Sequence, residues 1–369
     1  MMENAPVVQE FIELAELDAA SRKERLVVDA VTRKLSDMGF TVREDDTAEK
    51  VGGEAGNVCA YLEGSAKGSV LFAAHLDRVN NGLGIKPQFK EGCLVSDGTT
   101  VLAADDLSGV SAILDGVRRA VASGKPRPKI EILFSVCEEI GVQGTKHLDA
   151  TVFESKYGFV LDSPGRIGRI LDSAMGKAEL YLEVKGKAAH AAYPELGISA
   201  THAAVQVLSR IPDGRVDEDT VINWSYLVAP GPCNAIPDTA SAKAFAMSLK
   251  NEKLNAYLDL FVKTAKEVAE ETGAEIDAHY EVNYPAFYVP KDHRPVTLAC
   301  EALQSIGVKP RVEHGGGGLD ANRLNGYGIE CVGLSTGYSK NHTVNEALVV
   351  EDLVRSGEMV EQIIYRSAE

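Results

Sequence analysis

Five short segments end in side chains that can bind a metal ion or move a proton. They carry His75 and Asp77 in FAAHLD, Asp105 and Asp106 in LAADDLSG, Glu138 and Glu139 in FSVCEE, Asp162 in FVLDS, and His342 in KNHTVNE. Each has an ordinary reading when taken alone. A carboxylate at a helix start, such as Asp105, is commonly an N-cap. Adjacent glutamates are usually solvated, and a histidine near a chain end usually does nothing special. Taken together they mean more. FAAHLD and FVLDS place charged groups at the ends of nearly all-apolar runs, where burial without a partner is costly. A divalent cation would offset that cost. Imidazole plus carboxylate, with no thiolate, suits zinc or a similar ion. If one carboxylate bridges, two ions can each take one histidine and one further carboxylate. Such ions sit roughly 3.5–4 Å apart and share a water whose pKa falls toward neutrality. One more carboxylate must stay off the metal to accept that water's proton, which makes the Glu138–Glu139 pair informative.

The elements around these segments give them a common location. The runs VLFAAHLD (70–77), KIEILFSVCEE (129–139) and YGFVLDS (157–163) read as strands buried on both faces. Between the first two, Val110, Ile113, Leu114, Val117 and Val121 recur at helical spacing over about 107–123. Strand–helix–strand alternation predicts a largely parallel sheet flanked by helices. In such sheets ligands gather beyond the carboxyl ends of the strands, where the five segments fall. Residues 7–40 read as two amphipathic helices, with Ser21 capping the second and Glu24 completing a capping box. From about residue 178 the pattern changes. AELYLEVKGKAA alternates apolar and polar residues, and is followed by a helix (198–211), two strands, a helix (252–272) and AEIDAHYEV. That β-α-β-β-α-β order is ferredoxin-like. The remainder reads as a helix (about 292–306), a glycine-rich loop (315–318), a strand (329–337) and a last helix (350–365). We therefore divide the chain into a catalytic domain formed by 1–176 and 285–369 and an inserted domain, 177–284.

Composition narrows the function classes. With 38 basic against 54 acidic residues the formal net charge is −16, which argues against nucleic acid or an anionic membrane as partner, since both require a basic face. The cysteines Cys59, Cys93, Cys137, Cys233, Cys300 and Cys331 are scattered without a CxxC pair, as expected for buried thiols in a reducing compartment. MMENAPVVQEFIEL lacks the basic and apolar regions of a signal peptide, and no apolar run approaches the roughly 20 residues that span a bilayer. A cytoplasmic protein is expected.

The strings HLD, GTTVLAADDLSG, VCEEIGVQGTKHL, LDSPG, KAAHAAYPELGISA, NAIPDTA, GGGGLDAN and TGYSKNHTVNE resemble, in order and over nearly the whole chain, the M20 metallopeptidase family and its peptidase T-like branch. The resemblance implies an α/β zinc-exopeptidase-type fold: a mostly parallel sheet flanked by helices, with an inserted ferredoxin-like α+β lid and dimerisation domain. It implies two zinc ions per subunit, with cobalt or manganese as alternatives. His75 and Asp162 would hold one ion, Glu139 and His342 the other, and Asp105 would bridge them ahead of a cis peptide to Asp106. Asp77 would orient the His75 imidazole, and Glu138 would be the general base acting on the metal-bridging water. In the lid, His190 of KAAHAAYP resembles a histidine that reaches a neighbouring active site across a homodimer to stabilise the oxyanion. Asn234 of NAIPD matches a substrate-touching position. The quartet Gly315–Gly318, with Asp320, would line the pocket. The expected activity is hydrolysis of small peptides, in the manner of a tripeptide aminopeptidase.

Read without the resemblance, His190 could pack beneath the lid and Asn234 could be a turn residue before Pro237. His147, His202, His279 and His293 carry no motif, and His314 abuts the glycine loop. The match departs from the family at two places. Leu107 stands where the family commonly has lysine, and Met247 in AMSLKNEKL stands where many relatives have an arginine that grips a substrate carboxylate. Arg323 and Lys340 are the candidate replacements. Two rival readings follow: an N-acyl or N-carbamoyl amino acid amidohydrolase of the same fold, and a catalytically silent metal- or peptide-binding protein. All candidate ligands and the base are present, which argues against the second.

Overall fold

The computed structural model describes residues 2–368. Contacts divide the chain into two units, the first Met1–Ala174 with Phe287–Glu369 and the second Met175–Ala286. Along the chain, the first unit opens with α1 (Pro6–Ala15), α2 (Arg25–Asp37), β1 (Thr41–Glu44), β2 (Val58–Leu62) and β3 (Ser69–His75). It continues with α3 (Ala104–Ala122), β4 (Lys129–Ser135), β5 (Tyr157–Ser163) and β6 (Arg169–Leu171). The second unit contributes β7 (Gly176–Lys185), α4 (Ala200–Arg210), β8 (Thr220–Val228), β9 (Thr239–Ser248), α5 (Asn251–Thr272) and β10 (Glu275–Tyr284). The first unit then resumes with α6 (Arg294–Ser305), β11 (Arg311–Glu313), α7 (Asp320–Gly326), β12 (Glu330–Ser335) and α8 (Val350–Arg366).

The first unit is built on an eight-stranded sheet in the order β1-β2-β4-β3-β5-β12-β6-β11. Its four middle strands, β4, β3, β5 and β12, run parallel, while β2 pairs antiparallel with β4 and β1 antiparallel with β2. The apolar runs explain this layout. Six of the seven residues of β3 and of β4 are buried, as strands covered on both faces by helices must be. Helix α3 presses so closely on β5 that a Cβ at Gly109 would lie 2.7 Å from the Leu161 carbonyl oxygen. Register then places the chemistry: His75 sits opposite Ser135 and Ser163 opposite Ser335, so the carboxyl ends of the parallel strands are level.

Helix α2 begins later than the capping-box spacing predicts. Its N-cap is Glu24, with no side-chain cap. Ser21 Oγ instead donates to Asp77 Oδ2 at 2.5 Å, and Glu24 Oε1 accepts from the amides of Arg22 and Cys137. A long-range partner has taken each side chain away from the local motif.

The second unit is a separate body with its own core. Its antiparallel sheet runs β8-β9-β7-β10, with the short Gly214–Arg215 strand at the β8 edge. Burial alternates along β7 and β9, the signature of a sheet covered on one face. Leu180, Leu182 and Ala244 from that face meet Ala204 and Val207 of α4 and Leu258 and Phe261 of α5. No helix of the described residues is long and apolar enough to cross a membrane.

Candidate metal centre

Each side chain at the site is delivered by a strand end or helix start of the first unit. His75 closes β3, Asp105 lies in the non-helical kink at the start of α3, Glu138 and Glu139 follow β4, Asp162 is next to last in β5, and His342 lies in the loop after β12. Asp105 is at the centre. Its Oδ1 is 3.1 Å from His75 Nε2 and its Oδ2 is 3.2 Å from His342 Nε2. His342 Nε2 also lies 2.9 Å from Glu139 Oε2. Two donor groups result, His75 with Asp105 and Asp162, and Asp105 with Glu139 and His342. The ligand atoms in each lie within 4.8 Å of one another, and Asp105 belongs to both. The Asp105–Asp106 peptide is cis.

The electrostatics mark a cluster short of positive charge. Burial, and then the neighbouring Asp105 carboxylate, push Asp162 well above the usual carboxylate range. Burial does the same to Glu138 and, with help from Asp162, to Asp106, and it raises Glu139 as well. For Asp105 burial is outweighed by hydrogen bonds from His342 and His75, which hold it below its ordinary value. In turn, hydrogen bonds to Asp105 and Glu139 raise His342 to about 10. His75 is fully buried, which disfavours its charged form, yet Asp105 and Asp77 lift it well above normal. Two imidazole–carboxylate groups sharing one carboxylate suit a pair of divalent cations in number, type and spacing.

Around these groups lies a layer of supporting contacts. The Asp77 carboxylate accepts from the amides of Glu138 (2.8 Å) and Glu139 (3.2 Å) as well as from Ser21. His75 Nδ1 is 3.0 Å from the Asp77 carbonyl oxygen and 3.5 Å from its Oδ1, so the backbone oxygen makes the shorter contact with the ring. Buried Glu346 accepts from the amides of Leu102, Ala103 and Asp105, and burial raises it to about 7. Tyr338 donates its hydroxyl to Asp162 Oδ1 at 2.9 Å, and Asn341 Nδ2 donates to Asp105 Oδ2 at 2.7 Å. Ala103, Cys137 and His342 hold left-handed φ of 59°, 56° and 63°, a local strain that clusters at functional sites. From the sequence, Ser21 is read in another role, as the cap of α2, and Glu346, Tyr338 and Asn341 are not singled out. The last three lie inside the quoted TGYSKNHTVNE string, which was the available signal.

A cavity of about 260 Å³ opens onto the cluster. It is lined by Asp105, Glu138, Glu139, Asp162 and His342, by Pro164, Arg169 and Leu171, and by the loop Gly316–Gly318. Asp320 does not line it. That carboxylate is buried at the start of α7, accepting from Ser135 Oγ and from Thr145 Oγ1. His314 Nδ1 lies 2.7 Å from buried Asp172, and like Arg323 and Lys340 it is absent from the lining. His190 and Asn234 lie in the second unit, adjacent to each other: His190 bridges to Ala235, and the Ala191 amide donates to the Asn234 carbonyl at 2.9 Å. Met247 is on β9, opposite Lys177 and Val221.

Comparison with known proteins agrees with this geometry. The model of peptidase family M20/M25/M40 matches residues 71–366. Aminopeptidase PepT from Bacillus cereus is 36% identical with a TM-score of 0.93, covering 100% of this chain and 99% of that one. A Staphylococcus aureus tripeptidase is 27% identical with a TM-score of 0.93, covering 98% of each chain. The uncharacterized protein YqjE of Bacillus subtilis is 35% identical over 370 residues, 100% of both chains. The chain therefore belongs to peptidase family M20/M25/M40, on its peptidase T-like branch, and is a peptide-bond hydrolase.

Proposed function

We propose that the chain is an exopeptidase of the tripeptide-aminopeptidase type that works with two zinc ions per subunit, cobalt and manganese being the alternatives. The observation that carries this reading is Asp105, which turns one oxygen to His75 and the other to His342. His75 and Asp162 would hold one ion, Glu139 and His342 the other, and Asp105 both. Bound there, the ions would supply Lewis-acid polarisation of the scissile carbonyl and a water acidified toward neutrality. Glu138 lines the cavity outside both donor groups. Its carboxylate would take the proton released as water forms the new C–O bond, and deliver it to the amine nitrogen as the C–N bond breaks. Asp77, through its hold on the Glu138 amide, would keep that carboxylate aimed. The tripeptidase from Staphylococcus aureus supports short peptides as substrates. The second unit would serve as lid and dimerisation domain, with His190 supporting the oxyanion in a partner's site and Asn234 touching substrate. The KAAHAAYP and NAIPD motifs support these two roles.

The test is an assay of the protein loaded with zinc, cobalt or manganese against dipeptides, tripeptides and N-acyl amino acids, beside Glu138→Ala. The expected result is tripeptide cleavage that falls by roughly 10²–10⁴ in the variant while metal content is kept. Turnover of N-acyl amino acids alone would move the chain to the amidohydrolase reading. Two bound metals with no turnover of any amide would sink the assigned activity.

A further inference from the structure

Arg169 opens β6, which pairs with β12, and its side chain reaches Ser163 at the end of β5 and lines the cavity. Three contacts fix the guanidinium. Nε donates to Glu313 Oε2 at 2.7 Å, and Nη1 donates to Ser163 Oγ and to the Pro164 carbonyl, each at 3.0 Å. Among the described residues Nη2 has no partner, and the side chain is 21% exposed. The rest of the wall offers little else to a substrate's charge. The proposed function commits all four lining carboxylates, Asp105, Glu138, Glu139 and Asp162, to metal or to the proton. Tyr338 and Asn341 are committed to Asp162 and Asp105. Leu171 and the glycine loop are uncharged. No spare carboxylate remains in the lining to receive a substrate ammonium, whereas one fixed guanidinium still has an N–H edge to donate.

We propose that Arg169 is the specificity-determining residue of this cavity and selects substrates that present a carboxylate to it. The inference rests on the peptidase reading for its substrate but not for its chemistry. A carboxylate and a guanidinium nitrogen make a charge-assisted hydrogen bond. Because the fork is already anchored on Glu313, Ser163 and Pro164, little side-chain freedom is lost on binding. A hydrogen bond to a charged partner discriminates by roughly 10–100-fold against a neutral isostere. The carboxylate has two sources in a peptide, an acidic side chain or the α-carboxylate, and both present the same group to Nη2.

The experiment compares kcat/KM for Glu-Ala-Ala and Gln-Ala-Ala, each with a free and an amidated C-terminus, using the metal-loaded protein. In wild type one of the two changes, acid to amide in the side chain or at the terminus, lowers kcat/KM by about tenfold or more, and which one identifies the source. Arg169→Gln collapses that ratio toward one, Arg169→Lys leaves an intermediate ratio, and Glu313→Gln preserves or raises it. A ratio near one in wild type, or a ratio that survives Arg169→Gln, overturns the proposal. Calorimetric titration with glutarate and glutaramide decides it even if no peptide is cleaved, an outcome that would defeat the peptidase reading alone. Glutarate should bind wild type about tenfold tighter than it binds Arg169→Gln, with Arg169→Lys intermediate and glutaramide insensitive to the substitution. Equal glutarate binding by all three proteins overturns the inference. Thermal melts of each variant show that the comparison is between folded proteins.

Discussion

Asp77 is a residue whose surroundings decide its work. Two residues beyond His75, it could reach the imidazole, yet its carboxylate gathers three donors, the amides of Glu138 and Glu139 and the hydroxyl of Ser21. It therefore fixes the loop that carries the candidate base and one candidate ligand. Ser21 completes the set from 56 positions away. Removing a partner in such an outer layer typically costs 10–100-fold in metal affinity or activity. Ser21→Ala should lower the affinity for zinc by about that range with the melting temperature little changed, as measured by competition with a chromogenic chelator. Wild-type affinity in the variant would show that Asp77 needs no help from Ser21.

At the scale of elements, the site depends on how firmly α3 is seated, because the kinked start of this helix carries Asp105. Helix α8 crosses α3 at Gly116, where a Cβ would lie 2.5 Å from Val360 Cβ and 2.7 Å from the Gly357 carbonyl oxygen. Gly357 returns the contact, since a Cβ there would meet Asp115 Oδ2 at 2.3 Å. The two helices approach as closely as their backbones allow. Gly116→Val must push them apart, and overpacking of this kind costs about 1–3 kcal/mol. The expected outcome is a melting temperature lowered by roughly 2–12 °C, read by circular dichroism. An unchanged or raised melting temperature would mean that the helix propensity gained on losing glycine outweighs the clash.

For the molecule as a whole, metal binding and folding are one equilibrium. The donor groups come from β3, α3, β5, the segment after β4 and the loop after β12, so the unfolded chain has no such site to offer. A ligand that binds only the folded state stabilises it by about 2.7 kcal/mol when present at 100 times its dissociation constant. Stripping the protein with a chelator should therefore lower its melting temperature and abolish peptide cleavage, and zinc should restore both. A scan showing the same transition before and after stripping would separate the carboxylate cluster from any metal linkage.

The sequence by itself determined the elements and the identity of the groups that could do chemistry. The reading placed β5 at 157–163, as the structure does, and α3 within a few residues, because uninterrupted apolar runs and helical spacing are imposed by local geometry. The residues alone brought forward His75, Asp77, Asp105, Asp106, Glu138, Glu139, Asp162 and His342, and the family resemblance picked five of them as ligands. What that reading got wrong or missed had long-range causes. The Ser21 cap was lost to Asp77, Asp320 was drawn into hydrogen bonds with Ser135 and Thr145, and Glu346 found the amides of Leu102, Ala103 and Asp105 some 241–244 positions away. The division of Asp105 between two histidines, and the presence of Arg169 in the wall where Arg323 and Lys340 are absent, follow from strand register and helix seating. Only the tertiary structure decided them, because hydrogen bonds and burial are settled by neighbours in space, and those neighbours come from segments that the chain keeps far apart.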